Sequence, residues 1–265
     1  LHVRSRRQRQ MCIRDRLSSV LTITSLAGCG STQPSGSSSP ANGKTFIFAQ
    51  SADPRGLDPA FVDDGESAKV MCNIYEGLVK YGDDNTNIEP CLAESWEIND
   101  AGTEYTFKLR QGVKFHDGTD FNADAVVKSV ERQLPPNATS DMPYASFTYN
   151  GVNKVEALDD YTVKFTLDSP NTPFLANLAM TLAAPIVSPT ALEKNNGNLN
   201  EAPVGTGPFK FVSWDKGEKV TLEKNNDYWG DKAKLDKLII KITKESSVRA
   251  SELMTGEIDA MDGLD

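Results

Sequence analysis

The sequence predicts a mixed α/β fold in which strands and helices intermingle without the strict alternation of a parallel βαβ sheet. Three observations carry this. Tyr105, Phe107 and Leu109 alternate with Thr106, Lys108 and Arg110, the two-residue period of a strand with one buried face. Val70, Met71, Ile74, Tyr75 and Leu78 recur at helical spacing between Glu66 and Val79. The two kinds of pattern then follow one another in irregular order, with no internal repeat period.

Taken in order, Thr45 to Ala49 (TFIFA) reads as a first strand, and Asp53 to Pro59 as a turn-rich loop with two prolines and a glycine. The helical pattern at Glu66–Val79 follows. Val113 and Phe115 continue the Tyr105 strand after a turn at Gln111-Gly112. Asn122 to Gln133 reads as a helix with Asn122 as N-cap, Asp124 in the first turn, and Val126, Val127 and Val130 facing inward. Val163, Phe165 and Leu167 form a second alternating strand. Thr172-Pro173 has the form of an N-cap and first helical residue before Phe174, Leu175 and Leu178. Phe209, Phe211, Val220, Leu222, Ile240 and Ile242 belong to later strands, and Ser246–Met254 to a last amphipathic helix. Ile258–Met261 reads as the start of a strand that opens a further section.

The 265 residues carry a formal charge of −9, unevenly spread. Residues 1–16 hold six Arg and one Asp, so the remainder has 22 basic against 36 acidic side chains. An acidic body argues against a nucleic-acid partner, because phosphates need a basic face. Residues 1–16 resemble a translated sequencing adaptor and are set aside from fold reasoning, with the initiator Met expected elsewhere. Leu17–Ala27 is a short apolar run, ending in Leu26-Ala27-Gly28-Cys29. This has the shape of a signal peptide with a lipobox, cleaved before Cys29, whose thiol is then lipidated. Gly30–Gly43 is polar and low in complexity, a flexible tether of about 20 Å reach. Cys72 and Cys91 remain as an even pair in an oxidising compartment. Bridged, they close a loop of about 20 residues, adding about 3 kcal/mol on the loop-entropy model. The alternative is two buried thiols.

Chemical motifs are sparse. With only His2 and His116, a His-rich metal site is excluded, and a lone His in a strand-end turn is usually structural. His116 and Asp117 with a serine would complete a hydrolase triad only if a nucleophile elbow were present, and no Gly-x-Ser-x-Gly occurs. Paired-carboxylate motifs, a phosphate loop and Cys-x-x-Cys are also missing from the sequence. The expectation is a protein without catalytic residues, metal or cofactor.

Three stretches identify a family. Leu92–Glu97 (LAESWE) runs through Tyr105–Gly118 (YTFKLRQGVKFHDG); Asn171–Met180 reads NTPFLANLAM; Val204–Phe209 (VGTGPF) is followed by Asn226–Gly230 (NDYWG). In order and spacing they resemble the family 5 extracellular solute-binding proteins, over residues 44–265, with the second stretch nearest the dipeptide binders. Structurally these stretches serve architecture: Trp96 and the Tyr105 strand fill a core, Gly112 and Gly118 serve turns, and Gly205, Gly207 and Pro208 make a tight connection.

The resemblance implies a periplasmic-binding-protein-like two-lobed clamp of type II that closes on a ligand. Lobe I would comprise 44–75 and 170–265, with an inserted subdomain at 76–169 and lobe II beyond 265. It implies a monomeric lipoprotein outside the cytoplasmic membrane, at the cell surface or in the periplasm. Such a protein captures di- or oligopeptides for ABC permease subunits and, through them, an ATPase. Relatives with other ligands take nickel complexes, haem, oligosaccharides or opines. Carried over residue by residue, Asp63, Asp64 and Gly65 match the segment that lends main-chain groups to a peptide backbone, and Tyr144 matches a cleft tyrosine. The plain alternatives are an acidic solvated loop and a rim aromatic.

Overall fold

Alternating apolar residues on two antiparallel strands build the first of two cores. The computed structural model describes residues 43–263. Its elements are β1 (Thr45–Gln50), α1 (Gly65–Met71), β2 (Val79–Tyr81), β3 (Ile88–Pro90), β4 (Ala93–Ile98), β5 (Glu104–Leu109) and α2 (Ala123–Glu131). There follow α3 (Ala145–Thr148), β6 (Val152–Asp159), β7 (Thr162–Leu167), α4 (Phe174–Leu178), α5 (Pro189–Lys194), β8 (Phe209–Asp215), β9 (Lys219–Lys224), β10 (Lys237–Ile242), α6 (Ser246–Thr255) and β11 (Ala260–Met261).

A four-stranded sheet, β4-β5-β7-β6, is antiparallel throughout. Its inner face presents Tyr105, Phe107, Val163 and Phe165 to α2, whose Val126 and Val130 are fully buried. Phe107 and Phe165 meet edge to face at 5.6 Å, and Phe165 meets Phe174 at the same distance. Asn122 caps α2 as its sequence predicts, its side chain accepting from the Ala125 N–H at 3.0 Å.

A five-stranded mixed sheet, in the order β11-β1-β10-β9-β8, draws its strands from both ends of the described chain. Here β1 lies parallel to both β10 and β11, while β9 is antiparallel to β10 and to β8. Phe48, Val220, Leu222, Leu238 and Ile240 pack beneath α1 with Val70, Met71 and Ile74. Just ahead of β11, Asp259 continues the pairing along β1. Its carboxylate accepts the Ile47 N–H at 2.8 Å while its own N–H donates to the Ile47 carbonyl at 2.9 Å. The cores divide the middle of the chain near residue 187: Phe174, Leu178 and Ile186 side with the four-stranded sheet, and Val187, Ala191 and Leu199 with the five-stranded one.

Several expectations change. The helical pattern at Glu66–Val79 gives only α1, which stops at Cys72. Asn73 competes with the helix by donating its side-chain amide to the Lys69 carbonyl at 2.8 Å. The Asn73 and Ile74 carbonyls are taken instead by the N–H groups of Phe209 and Gly207. Ile74, Tyr75 and Leu78 are buried all the same, so the period read burial correctly and helix length wrongly. Val113 and Phe115 do not extend β5; they flank a single bridge, Lys114 to Asp120. Thr172 does not cap α4, which starts at Phe174 behind Pro173 without a side-chain cap. Strands β2, β3, β4 and β6 and helices α3 and α5 were not anticipated.

No Cys72–Cys91 bridge is drawn among the described residues. Cys72 caps α1 with its Sγ 3.3 Å from the Lys69 carbonyl, and Cys91 Sγ points to Glu76 Oε1 at 3.9 Å. Titration of the denatured, unreduced protein is expected to find both thiols reactive, and a bridged pair would overturn this.

The glycines of Val204–Phe209 are required by close approach. A Cβ on Gly205 would lie 2.2 Å from the Ile74 carbonyl oxygen, and one on Gly207 would lie 2.7 Å from it. Gly205→Ala is expected to destabilise the fold by about 3 kcal/mol through overpacking against rigid backbone. Denaturant unfolding checks this; a loss below about 0.5 kcal/mol would contradict the packing described.

Candidate functional site: the carboxyl edge of the mixed sheet

Strands β1, β10 and β11 run the same way, so their carboxyl ends, Gln50, Ile242 and Met261, open on one edge. The chain leaves β1 through α1, and α6 carries β10 across β1 to β11. In open α/β sheets, ligands bind in the crevice at such an edge, where backbone groups leaving adjacent strands diverge. Three segments form the edge here: residues 51–64 after β1, residues 243–245 after β10, and residues 262–263 after β11.

Arg249 of α6 organises the two later segments. It is buried, and its guanidinium donates to the carbonyls of Thr243 and Lys244 at 2.8 Å, Gly263 at 3.1 Å and Asp262 at 3.3 Å. Lys69 of α1 joins them by an ion pair with Asp262 and lies 3.7 Å from Glu66. Glu66 in turn accepts from the Ser51 hydroxyl at 3.4 Å.

The loop after β1 is fixed along its length. Ser67 Oγ accepts from the Arg55 N–H at 2.9 Å, and Tyr75 Oη donates to the Leu57 carbonyl at 3.0 Å. Burial raises the Tyr75 phenol well above its ordinary range, with the nearby Asp58 charge adding to this. Asp58 itself is fully buried and accepts four hydrogen bonds. Two come from Arg132 at the end of α2, at 3.0 and 2.7 Å, one from the Ala60 N–H at 3.0 Å, and one from the Leu199 N–H at 2.9 Å.

The residues singled out from sequence fall in two places. Asp63, Asp64 and Gly65 lie together where this loop enters α1. Their acidic side chains serve local structure: Asp63 pairs with Arg55 at 2.8 Å, and Asp64 caps α1 by accepting from the Ser67 N–H at 2.9 Å and its hydroxyl at 2.7 Å. The main chain at the exposed Gly65 has open space beside it. Tyr144 lies at the start of α3, half-buried, with its ring edge-on to the exposed Phe147 at 6.4 Å. A hydrogen-bond chain joins this region to the loop: Tyr149 Oη donates to the Ala183 carbonyl at 3.1 Å, and the Ala183 N–H donates to the Pro59 carbonyl at 2.8 Å. Sequence reasoning missed Asp58, Arg132, Arg249 and Glu76. An acidic residue wedged between Leu57 and Pro59 in an apolar loop was the available signal.

His116 is a structural residue. Its backbone N–H donates to the Gly205 carbonyl and its Nε2 lies 2.9 Å from the Gly207 carbonyl, which can only accept, so Nε2 carries the proton. Burial holds its pKa down at about 4. Asp117 beside it is pulled up by burial, but hydrogen bonds from Ser188, at 2.5 Å, and Thr119 outweigh this and hold it low. Among the described residues, no group of three or more His, Cys, Asp or Glu could hold a metal ion, and no helix is long and apolar enough to cross a membrane. A cavity of about 340 Å³ is lined by Lys128 and Arg132 of the α2 region and by Leu192 of α5.

The sequence as a whole has known counterparts. Residues 87–265 match the bacterial extracellular solute-binding proteins, family 5 middle. The chain belongs to this family. It is 35% identical over 238 residues to heme-binding protein A of Haemophilus influenzae, covering 83% of this chain and 44% of that protein. Among solved structures, it is 45% identical to the periplasmic binding protein DppA of Helicobacter pylori in complex with the peptide STSA, with a TM-score of 0.76 over 83% of this chain and 46% of that one. It is 36% identical to AgaA of A. tumefaciens in complex with agropinic acid, with a TM-score of 0.75 over 81% of this chain and 43% of that one. The chain thus spans less than half the length of these relatives, which are solute-binding proteins of periplasmic-binding-protein fold and not enzymes.

The buried histidine gives a pH signature. The unfolded chain titrates near 6.5 and the folded one at about 4, so protons bind the unfolded state preferentially between them. Stability contributed by neutral His116 is intact above pH 6.5 and falls by about 3 kcal/mol as pH drops through that window. His116→Gln, which keeps a donor for the Gly207 carbonyl, is expected to flatten the melting-temperature profile between pH 6.5 and 4. A variant profile as steep as the parent's would show that His116 does not carry it.

Proposed function

We propose that this chain is the first part of a substrate-binding lipoprotein of an ABC importer, which captures di- and oligopeptides outside the cytoplasmic membrane and delivers them to permease subunits. The observation that supports it most is the exposed main chain at Asp63–Gly65 on the carboxyl edge. The two acidic side chains there are turned to local bonds, leaving backbone groups that can read a peptide regardless of its side chains. Tyr144 would add an aromatic wall. In this reading residues 44–75 and 170–265 form lobe I, 76–169 the inserted subdomain, and a second lobe beyond 265 closes the clamp. Membership of the two cores favours a return to lobe I nearer Val187 than residue 170.

The protein would act as a monomer, lipid-anchored through Cys29, at the end of the Leu17–Cys29 signal and Gly30–Gly43 tether. These segments lie outside the described residues, apart from Gly43. Cys29→Ala in cells is expected to move the protein from the membrane fraction to the soluble one. Haem, a nickel complex, an oligosaccharide or an opine are the other ligands this fold can take.

Calorimetric titration of the product of the complete reading frame against di- and tripeptides, haem, nickel–histidine and an opine tests the ligand. Saturable one-to-one peptide binding is expected. Binding confined to one of the others would replace the peptide reading, and no binding to any would refute it.

A further inference from the structure

Three local costs converge on one short segment. Ala183 is buried and not glycine, yet its φ is +64°, a region where a Cβ is strained. Arg132 meets Asp58 with both terminal nitrogens, and its Nε is left buried without a hydrogen-bond partner. Gln133 donates to the Ala183 carbonyl at 2.9 Å and leaves its own Oε1 buried and unsatisfied. Stranded polar atoms and strained backbone persist where surrounding structure holds them for a purpose. All three sit on the groups that hold Asp58 and Pro59.

The direction of the holding is informative. Upstream, Arg55 and Leu57 are fixed by Ser67 and Tyr75, which belong to the α1 side and its core. Asp58 is held from that side too, accepting from the Leu199 N–H at 2.9 Å and donating its own N–H to Asn200 Oδ1 at 3.1 Å, but its ion-pair partner and the hold on Pro59 come from the other side. Arg132 and Gln133 follow α2, Tyr149 follows α3, and Tyr149 lies in the core of the four-stranded sheet. Downstream, Asp64 fastens the chain to α1. The backbone from Pro59 to Asp63 is thus strung between two bodies.

We propose that Arg132 is a positioning residue. Through Asp58, and beside the Tyr149–Ala183–Pro59 chain, it sets the backbone at 59–65 for ligand without touching ligand itself. This rests on the peptide-contact reading of Asp63–Gly65. It makes the four-stranded-sheet body a determinant of affinity for a peptide that it need not contact at these residues.

The alternative is a buried ion pair that only stabilises the fold, and the test separates the two. In the complete protein, Arg132→Gln, Arg132→Lys and Tyr228→Phe are compared for melting temperature, amide exchange and dissociation constant for a tripeptide. Tyr228→Phe removes a partly buried bond to Glu76 without touching Asp58. Arg132→Gln is expected to speed exchange at the Ala60 and Leu199 amides about tenfold or more. It should also weaken tripeptide binding about tenfold, mainly through faster dissociation. Arg132→Lys, which keeps the charge and loses the fork, should fall between, and it carries the test if the Gln variant does not fold. Tyr228→Phe should lower the melting temperature while leaving affinity within about twofold. Unchanged affinity in both Arg132 variants, or affinity losses that track melting temperature equally at Arg132 and Tyr228, would overturn the proposal. Should the parent bind no tripeptide, the functional reading fails on its own. The exchange rates then decide the positioning, with parent-like exchange at Ala60 overturning it.

Discussion

Glu76 stands between Tyr75, which belongs to the core of the five-stranded sheet, and Leu78, which belongs to the other. Its carboxylate accepts from Tyr228 Oη at 2.6 Å, Trp229 Nε1 at 2.7 Å and Thr206 Oγ1 at 2.9 Å. Arg110, just beyond β5, covers the Trp229 ring with its guanidinium 4.3 Å from the centroid. A partly buried carboxylate is costly unless its lone pairs are filled, and charge-assisted bonds of this kind are directional. The seam between the cores is therefore specified by geometry that apolar contact alone would leave free to slide.

The motif stretches make sense against that seam. Gly205 and Gly207 bring a backbone segment onto the Asn73–Ile74 carbonyls, and His116 reaches both glycine carbonyls from the far side. Tyr228 and Trp229 supply donors to Glu76. None of these groups needs to meet a ligand. They tie the body of the mixed sheet to that of the antiparallel sheet. A family with varied ligands can share them, because ligand chemistry enters through other surfaces.

Much of the fold was legible because its signals are local. The alternation at Tyr105–Leu109 and Val163–Leu167, and Asn122 ahead of the α2 pattern, each state their structure within a few residues. The short strands β2 and β3 span three residues each and give no period to read. Strand β6 buries only Val155 fully, so its sequence looks polar. The helix at Glu66–Val79 was overextended because a turn packed under the same core preserves the apolar spacing. The site was less legible. Asp63–Gly65 could be matched as a segment, but the bonds that fix it join Asp58 to Arg132 and Leu199, 74 and 141 residues away. Such pairings leave no mark in a linear pattern. The cysteine pair is illegible for the same reason: parity and compartment say nothing about where each sulfur points.

The edge of β1 carries a further meaning. Among the described residues, Ala260 and Met261 alone pair with it as a strand on that side, and further back along the strand Asp259 offers a carboxylate to the Ile47 N–H. An incoming strand from another copy would have to displace the Asp259 carboxylate and seat its own carbonyl beside it. On the opposite border, β8 breaks register between Phe211 and Ser213. Open strands invite chain-to-chain zippering, and a negative stopper at one border with a bulge at the other discourages it. For a binding protein that must stay dispersed, those two irregularities protect against fibrillar self-association.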